Sequence, residues 1–311
     1  MLQLSNPQPS RPEGQSFDLQ RTDDGSFTFF CSQFQEAFHS RYGAKQEAEL
    51  KFVEPCQLKE KAKTSSRLVL LDICYGLGYN SAAAFAAIWQ SNPHCQVQWV
   101  GLELNAEVPQ AAIAHHLLDL WPSPIPQLLQ RLAATGFVQT PQLNAKLQLG
   151  DARQTLKALH DEGFKADAIF LDPFSPPQCP QLWTVEFLAL AAGCLQPTGR
   201  LATYSCAAAV RTALHLAQLH LGATPAIGRR SSGTVASFTN EGLPPLSQKE
   251  QEALQTRSAV PYRDRELDAA RSHIVQNRRS EQQLSVLEPT AIWKKRWSQK
   301  KSRGKIPPTF P

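Results

Sequence analysis

The sequence has no apolar run approaching the roughly 20 residues that a membrane-spanning helix needs. Its N-terminus is polar and proline-rich, without the apolar core of a signal peptide. Seven cysteines are scattered, odd in number and never in a CxxC pair, which argues against a disulfide framework or a zinc site. HExxH and P-loop motifs are also absent, which argues against a metalloprotease or an NTPase. We expect a cytoplasmic protein with reduced thiols, no metal and no membrane partner.

Positive charge is concentrated near the C-terminus. Residues 1–255 carry 19 Lys+Arg against 22 Asp+Glu, whereas residues 256–311 carry 13 against 5. A basic segment on a near-neutral body favours a polyanionic partner, most commonly a nucleic acid. The alternative is a solvated tail that only aids solubility. Few apolar residues fall in 243–311, so we predict helix fragments and disorder there.

From residue 67 to about residue 220, short apolar runs alternate with helical patterns. Strands are predicted at 67–73, 97–104, 145–151, 166–172 and 199–204, with a terminal strand pair within 224–238. Apolar strands separated by helices are typical of an α/β fold with a parallel sheet covered on both faces. We therefore predict a mostly parallel, seven-stranded sheet with an antiparallel edge.

The regions outside this alternation divide the chain into parts. Residues 1–66 are predicted to be an N-terminal extension, in strand–helix–strand order, that packs on the core. Residues 67–240 form the principal domain, with a proline-rich break and a short helix inserted at about 121–137. Residues 241–311 form the basic, partly disordered tail.

A glycine-containing turn follows the first predicted strand and opens the next helix. Gly76 and Gly78 let the backbone approach a ligand closely, because a Cβ would prevent it. A dehydrogenase would also use such a turn. However, Ser81 replaces the third glycine of GxGxxG, and Asp72 before the turn would repel a pyrophosphate. The turn therefore argues against a dinucleotide.

Four successive predicted strands end in an acidic residue: Asp72, Glu103, Asp151 and Asp172. Open α/β sheets bind ligands at this edge. Glu103 is placed to accept two ribose hydroxyls, and Asp151 suits the exocyclic amine of an adenine. Each acid alone could instead cap the helix that follows it. Together they favour a cationic nucleoside such as S-adenosylmethionine, and hence a methyltransferase.

The last of these strands runs into Asp172-Pro173-Phe174. Proline fixes φ and cannot continue a sheet ladder, so the acid and the ring stand on a stiff loop. The carboxylate can accept an N–H from a neutral amine, and the ring can cover the cation that forms when the amine is alkylated. The alternative interpretation is an ordinary strand end with an Asp-stabilised turn.

From about residue 24 to about residue 238 the sequence resembles the methyltransferases that complete 5-methylaminomethyl-2-thiouridine at the tRNA wobble position. These enzymes occur as the N-terminal half of the bifunctional MnmC protein and free-standing as MnmD. The resemblance is carried by His39-Ser40 with Gly43-Ala44 and Gln46-Glu47, by DICYGLGYN, by FLDPFSPPQCPQLWT and by GRLATYS. Cys74 and Pro173 stand where the family often has glycine.

The resemblance implies a Rossmann-like class I methyltransferase fold with S-adenosyl-L-methionine as cofactor. It implies cofactor contacts at Gly76, Gly78, Asn80, Glu103 and Asp151, to which Asp72 is added from its place at the turn. Gln46 and Glu47 are implied to fold over the cofactor. Asp172 and Phe174 are implied to be catalytic and to face the substrate amine. Tyr204 is a weaker candidate for packing against the substrate and is interpreted as a core residue at the end of the fifth strand. His39 either lines the entrance or is structural.

The implied reaction is N-methylation of the 5-aminomethyl group of (2-thio)uridine at the wobble position. The implied partner is tRNA, bound through its anticodon stem-loop by a monomer. Arg211, Arg229, Arg230 and the tail are candidates for phosphate contacts. Two alternatives stay open: methylation of another amine, on a nucleic-acid base or a protein, and a non-catalytic RNA-binding module.

Overall fold

The computed structural model describes residues 17–226 and 231–303. The described chain begins with a three-stranded antiparallel sheet of β1 (Phe17–Arg21), β2 (Phe27–Cys31) and β3 (Glu36–Ala37). Three helical segments follow: α1 (Ala44–Glu47), a π-helical continuation (Ala48–Val53) and α2 (Leu58–Thr64).

This region differs from the predicted strand–helix–strand order. The predicted helix is replaced by the turn and short strand β3, and the predicted second strand is helical. The reason is the spacing of the buried residues Ala44, Ala48 and Phe52, which recur every four positions. That period places them on one face of a helix rather than on one face of a strand.

The principal domain is a sheet with helices on both faces. Its helices are α3 (Tyr79–Ser91), α4 (Glu107–Ala114), α5 (Ile125–Thr135), α6 (Ala152–Asp161), α7 (Val185–Gly193) and α8 (Ala208–Leu216). Its strands are β4 (Arg67–Ile73), β5 (Gln96–Glu103), β6 (Phe137–Gln139), β7 (Leu143–Leu149), β8 (Ala166–Leu171), β9 (Leu195–Thr203), β10 (His220–Ala223) and β11 (Thr234–Ser237).

The strand order is β10-β11-β9-β8-β4-β5-β7-β6. The five central strands are parallel, while β10, β11 and β6 pair antiparallel at the two edges. The predicted parallel sheet with an antiparallel edge is confirmed. The sheet has eight strands rather than seven, because Phe137–Gln139 pairs with β7 directly after the inserted helix. Three residues are too few to produce a strand pattern in the sequence.

Both faces of the sheet are buried, and the strand β4 shows how. Leu68 and Leu70 pack with α3 on one face, while Leu71 and Ile73 pack on the other. Each fully buried side chain of this size contributes roughly 1.5–3 kcal/mol to folding. Since helices cover both faces, the carboxyl ends of the parallel strands are the edge at which polar groups can gather.

The C-terminal region is helical and packs on the principal domain. It contains α9 (Gln248–Ala253), a 3₁₀ turn (Arg257–Ala259), α10 (Arg271–Leu284) and α11 (Thr290–Arg303). The predicted helix fragments are found, but residues 243–303 are ordered rather than disordered. The reason is a set of buried anchors, among them Tyr262, Leu267, Ile274 and Trp293. Residues 304–311 lie outside the described part.

Within residues 17–226 and 231–303, no helix is both long and apolar enough to cross a bilayer. The same residues contain no group of three or more His, Cys, Asp and Glu side chains placed to hold a metal ion. All seven cysteines of the chain are free thiols.

Candidate active site

A cavity of about 670 Å³ lies at the carboxyl ends of the parallel strands. This volume is in the range of about 300–1,000 Å³ that small-molecule and cofactor sites have. Its walls come from the ends of β4, β5, β7, β8 and β9, and from the N-terminal sheet. Five acidic residues line it: Glu36, Glu47, Glu103, Asp151 and Asp172. Arg41 and His39 are the only basic residues in its described lining, so the cavity favours a cation.

The glycine turn forms one wall of the cavity. Gly76 lines it with φ +58°, in the left-handed region that favours glycine, while Gly78 lies just outside the lining. At Gly78 a Cβ would also meet the Tyr75 hydroxyl at 2.5 Å. The backbone N–H of Gly76 donates to Oε2 of Glu103 at 2.8 Å. Because a carboxylate already holds this N–H, the turn does not form a phosphate cradle.

Glu103 is held in place by backbone groups. Besides Gly76, the backbone N–H groups of Leu104 and Asn105 donate to its Oε1 at 2.8 and 3.0 Å. Burial raises the pKa of Glu103, and the three N–H donors oppose that rise. A carboxylate offers about four acceptor sites. Glu103 therefore keeps capacity to accept a ligand hydroxyl.

Asp151 lines the cavity, but its carboxylate is held by a partner that the sequence did not predict. Arg153 Nη2 lies 2.7 Å from Oδ2 of Asp151, and Arg153 Nη1 reaches Asp264 at 3.1 Å. Burial raises the pKa of Asp151, but the Arg153 hydrogen bonds outweigh it and the net pKa is lowered. The side chain also caps α6. An adenine amine at this position would share the carboxylate with Arg153.

Asp72 is not part of the cavity lining, so its predicted cofactor contact has no support in this geometry. It is fully buried and accepts a hydrogen bond from Ser81 Oγ at 2.6 Å. Burial raises the pKa of Asp72 to about 7, and the nearby Glu103 adds to the rise. Since side chains alternate along a strand, Asp72 shares the face of Leu70 and lies beneath α3.

Asn80 contacts the loop that follows β8 and does not line the cavity. It is buried, and its Nδ2 donates to Oδ2 of Asp172 at 2.8 Å. The Gln46 side chain is exposed and also lies outside the lining. Glu47 does line the cavity, where its Oε2 accepts the backbone N–H of Ser40 at 3.2 Å. The implied contacts of Asn80 and Gln46 with a cofactor stay predictions.

The loop after β8 presents Asp172 and Phe174 to the cavity, as predicted from their sequence positions. The Phe174 ring stacks on Phe34, with centroids 4.3 Å apart and planes 16° apart. Phe38 meets it edge-on at 5.1 Å. Sequence reasoning missed Phe34 and Phe38, which lie more than 130 positions away from Phe174.

Four hydrogen bonds, made with three side chains, stiffen the same loop. Glu36 accepts hydrogen bonds from both the backbone N–H and the hydroxyl of Ser175, the former at 2.9 Å. The Tyr204 hydroxyl donates to the Pro173 carbonyl at 2.9 Å. Trp183 Nε1 donates to the Phe174 carbonyl at 2.9 Å. Tyr204, interpreted as core, packs in the core and also lines the cavity.

His39 also lines the cavity. It is buried, and its Nδ1 lies 3.3 Å from Thr28 Oγ1. Its ring meets Tyr79 edge-on, with centroids 5.0 Å apart. His39 therefore has both of the roles that the sequence left open: it lines the cavity, and it is a buried structural residue that packs against Tyr79.

These features fit S-adenosyl-L-methionine, which carries a sulfonium and an ammonium charge. The acid-rich lining suits that charge, and Glu103 can accept a ribose hydroxyl. The Gly76 N–H, already held by Glu103, would not bind the pyrophosphate of a dinucleotide. The residues that would hold the cofactor are Gly76, Glu103 and Asp151, with Glu47 nearby.

Known proteins support the same interpretation. Residues 109–239 match the family described as S-adenosyl-L-methionine-dependent methyltransferase. The crystal structure of MnmC2 from Aquifex aeolicus is 33% identical, with a TM-score of 0.77 over 88% of this chain and 87% of that chain. An uncharacterized protein from Methanocaldococcus jannaschii is 25% identical over 304 residues, 93% of this chain and 79% of that protein.

The chain also matches larger, bifunctional proteins. The tRNA 5-methylaminomethyl-2-thiouridine biosynthesis protein MnmC of Ralstonia nicotianae is 29% identical over 225 residues, 68% of this chain. The match covers 33% of that relative, so the chain spans about a third of the curated MnmC proteins. The predicted fold, cofactor and family are confirmed by these matches and by the sheet topology. The chain belongs to the MnmC2 family of S-adenosyl-L-methionine-dependent methyltransferases.

Proposed function

We propose that this enzyme methylates the 5-aminomethyl group of (2-thio)uridine at the tRNA wobble position, giving 5-methylaminomethyl(-2-thio)uridine. One observation carries the proposal. Asp172 and Phe174, suited to an amine, line the same cavity as Gly76 and Glu103, suited to a methyl donor. The MnmC relatives are named for the biosynthesis of 5-methylaminomethyl-2-thiouridine, and the same nucleoside without its N-methyl group carries an aminomethyl group, an amine of the required kind.

Catalysis is assigned to alignment and charge stabilisation. When bound, S-adenosylmethionine would supply an electrophilic methyl group, and the electron pair of the broken methyl–sulfur bond would stay on sulfur, which leaves as a neutral thioether. Asp172 accepts an N–H of the neutral amine and so directs the nitrogen lone pair toward the methyl-donor side of the cavity. The nitrogen gains a methyl group and a positive charge, and the Asp172 carboxylate stabilises that charge. The nitrogen then loses a proton, for which Asp172 is an acceptor.

The aromatic residues keep the acceptor site dry. Phe34 stacks on Phe174 and Phe38 forms a T-shaped contact with it, and these two contacts fix the ring beside Asp172. A fixed ring next to a developing cation contributes roughly 0.5–2 kcal/mol of stabilisation. Because exclusion of water strengthens every charge interaction in the cavity, the same rings also increase the effect of Asp172.

A wobble base suits this cavity because it is unpaired in the anticodon loop and can leave its stack. Of the arginines predicted to hold phosphates, Arg211 is not available. It is buried, and its guanidinium binds Thr234, Gly233 and Glu250, the last at 2.9 Å. Arg229 and Arg230 lie outside the described residues.

Mass spectrometry of tRNA nucleosides tests the proposal. Transfer RNA from cells that lack the gene should accumulate 5-aminomethyl(-2-thio)uridine, and the purified enzyme with S-adenosylmethionine should convert it to the methylaminomethyl form. Unmodified tRNA transcript is the control, because it offers no aminomethyl group. Methylation of the transcript, or an unchanged wobble nucleoside, would assign the enzyme to a different acceptor.

A further inference from the structure

A second concavity, of about 840 Å³, lies between α10 and the loop that follows β8. Three arginines line it, and we name it the arginine groove after Arg271, Arg278 and Arg279. The other lining residues are uncharged: Pro177, Tyr262, Ser272, Val275, Gln276 and Gln282. A concave surface with three guanidinium groups, several neutral hydrogen-bonding groups and no acid favours an anionic ligand.

The arginine groove and the methyl-transfer cavity are joined by one loop. Phe174 and Ser175 of this loop line the cavity, while Pro177 lines the groove. Arg271 ties the loop to α10, because its Nη2 donates to the Pro177 carbonyl at 2.9 Å and to Gln178 Oε1 at 2.8 Å. If a nucleotide of the tRNA occupies the cavity, the nucleotides next to it in the RNA would therefore lie close to the groove.

The groove arginines differ in their charge balance from two other arginines of the C-terminal region, Arg263 and Arg296. Among the ion pairs of the described residues, none involves Arg271, Arg278 or Arg279. Arg263, by contrast, pairs with Glu186 and Glu281, and Arg296 pairs with Glu252 and Glu288. Within the described residues, no acidic side chain thus lies at ion-pair distance from the groove arginines, whereas Arg263 and Arg296 each have two acidic partners.

Two of the three arginines, Arg271 and Arg278, are also held in position. Arg278 is half-buried, donates to the carbonyls of Val260 at 2.7 Å and Ser258 at 3.0 Å, and lies 4.3 Å from the centre of the Tyr262 ring. Arg271 is fixed by the loop contacts, and Arg279 is exposed beside them. Guanidinium groups held in this way lose little further freedom on binding, and their planar donors match phosphate oxygens.

We propose that the arginine groove binds the sugar–phosphate backbone of the tRNA next to the wobble nucleotide. This inference rests on the proposed function and adds the surface that holds the substrate. Backbone contacts from arginines position a nucleic acid without reading its sequence. The groove accordingly sets affinity and register, while the cavity sets which nucleotide is methylated.

Fluorescence anisotropy with labelled tRNA from cells lacking the gene tests the inference, at several salt concentrations. Arg279→Gln and the double variant Arg271→Gln/Arg279→Gln are compared with Arg131→Gln, which removes one exposed charge from α5. We expect Arg279→Gln to raise the Kd about 3- to 10-fold and to reduce the salt slope by about 0.7–0.9. The double variant should lose more, and Arg131→Gln should match the wild type.

Steady-state kinetics on the same proteins separates binding from chemistry. Arg279→Gln should raise KM for tRNA and leave kcat, the affinity for S-adenosylmethionine and the melting temperature unchanged. If both groove variants bind tRNA with the wild-type salt slope, the inference is overturned, even where the wild type methylates tRNA. If the wild type binds through the groove but transfers no methyl group, the proposed function fails and the groove assignment stands.

Discussion

Asn80 donates its side-chain N–H to Oδ2 of Asp172 at 2.8 Å. Asn80 lies in the first turn of α3, and Asp172, 92 positions later, lies on the loop that follows β8. Asn80 is only 4% exposed, so the contact is shielded from water. The bond fixes the carboxylate that is proposed to receive the amine. It also joins the start of α3, next to the glycine-containing turn, to the loop that follows β8. Asn80 is therefore a positioning residue for Asp172.

Replacing Asn80 with aspartate should change the pH dependence of methyl transfer. Asn80→Asp places two carboxylates at hydrogen-bond distance, and such a pair retains a shared proton to higher pH. We expect the acid limb of the pH–rate profile to move up by about one unit or more, with a lower kcat. Asn144→Asp, the same change on the exposed side of β7, should leave the profile in place. Identical profiles for all three proteins would remove the positioning role.

Replacing Glu103 with glutamine should weaken cofactor binding. The glutamine amide cannot accept all three backbone N–H groups that now hold Glu103, and it removes a negative charge from the cavity. Calorimetry should show the Kd for S-adenosylmethionine rising about 10- to 100-fold. Glu107→Gln, on the exposed first turn of α4, is the matched control. Equal affinities in the two variants would contradict the assignment of Glu103.

Asp72 should make stability fall as pH rises. Its pKa of about 7 in the folded state exceeds the ordinary 3.8, so the folded protein binds a proton that the unfolded chain has released. The free energy of unfolding therefore decreases between about pH 4 and pH 7, by roughly 3–4 kcal/mol at most.

Asp72→Asn keeps the shape and cannot ionise, so it isolates this contribution. The stability difference between this variant and the wild type should shift in favour of the variant from pH 4 to pH 7. Urea titrations at each pH measure it, with Asp161→Asn as an exposed control. A difference that stays constant over this range would show that the buried Asp72 does not titrate there.

The Phe34–Phe174 stack should matter for the acceptor and not for the cofactor. Phe34→Ala uncovers one face of Phe174 and loosens the loop that carries Asp172. We expect kcat/KM for tRNA to fall about 10-fold, with the affinity for S-adenosylmethionine changed less than about twofold. Phe137→Ala, which removes a half-exposed ring from β6, controls for loss of an aromatic side chain. An equal loss in both variants would mean that the stack only supports folding.

The sequence predicted the parallel sheet well, because buried strands and helices have local patterns. It also placed Glu103, Asp151 and Asp172 at one edge, and all three line the cavity. Asp72 fits the same pattern but precedes the last strand residue, Ile73, so its side chain points under α3. A shift of one position along a strand reverses the face, and composition does not reveal it.

Other parts of the site depend on contacts that no local pattern records. Glu36 and Ser175 are 139 positions apart, and Arg153 meets Asp264 across 111 positions. The C-terminal region was predicted to be partly disordered from its polar composition. It packs on the principal domain through a few buried anchors such as Ile274, and arginines such as Arg278 add hydrogen bonds to backbone carbonyls that apolar content does not measure.

The most direct test of the central claim is methyl transfer by Asp172→Ala to tRNA from cells lacking the gene, measured together with the affinity for S-adenosylmethionine. We expect a loss of roughly 100-fold or more in the transfer rate, with the cofactor Kd within about threefold of the wild type. Transfer that stays within a few-fold of the wild-type rate would contradict it, since the carboxylate at the end of β8 would then have no part in activating the amine.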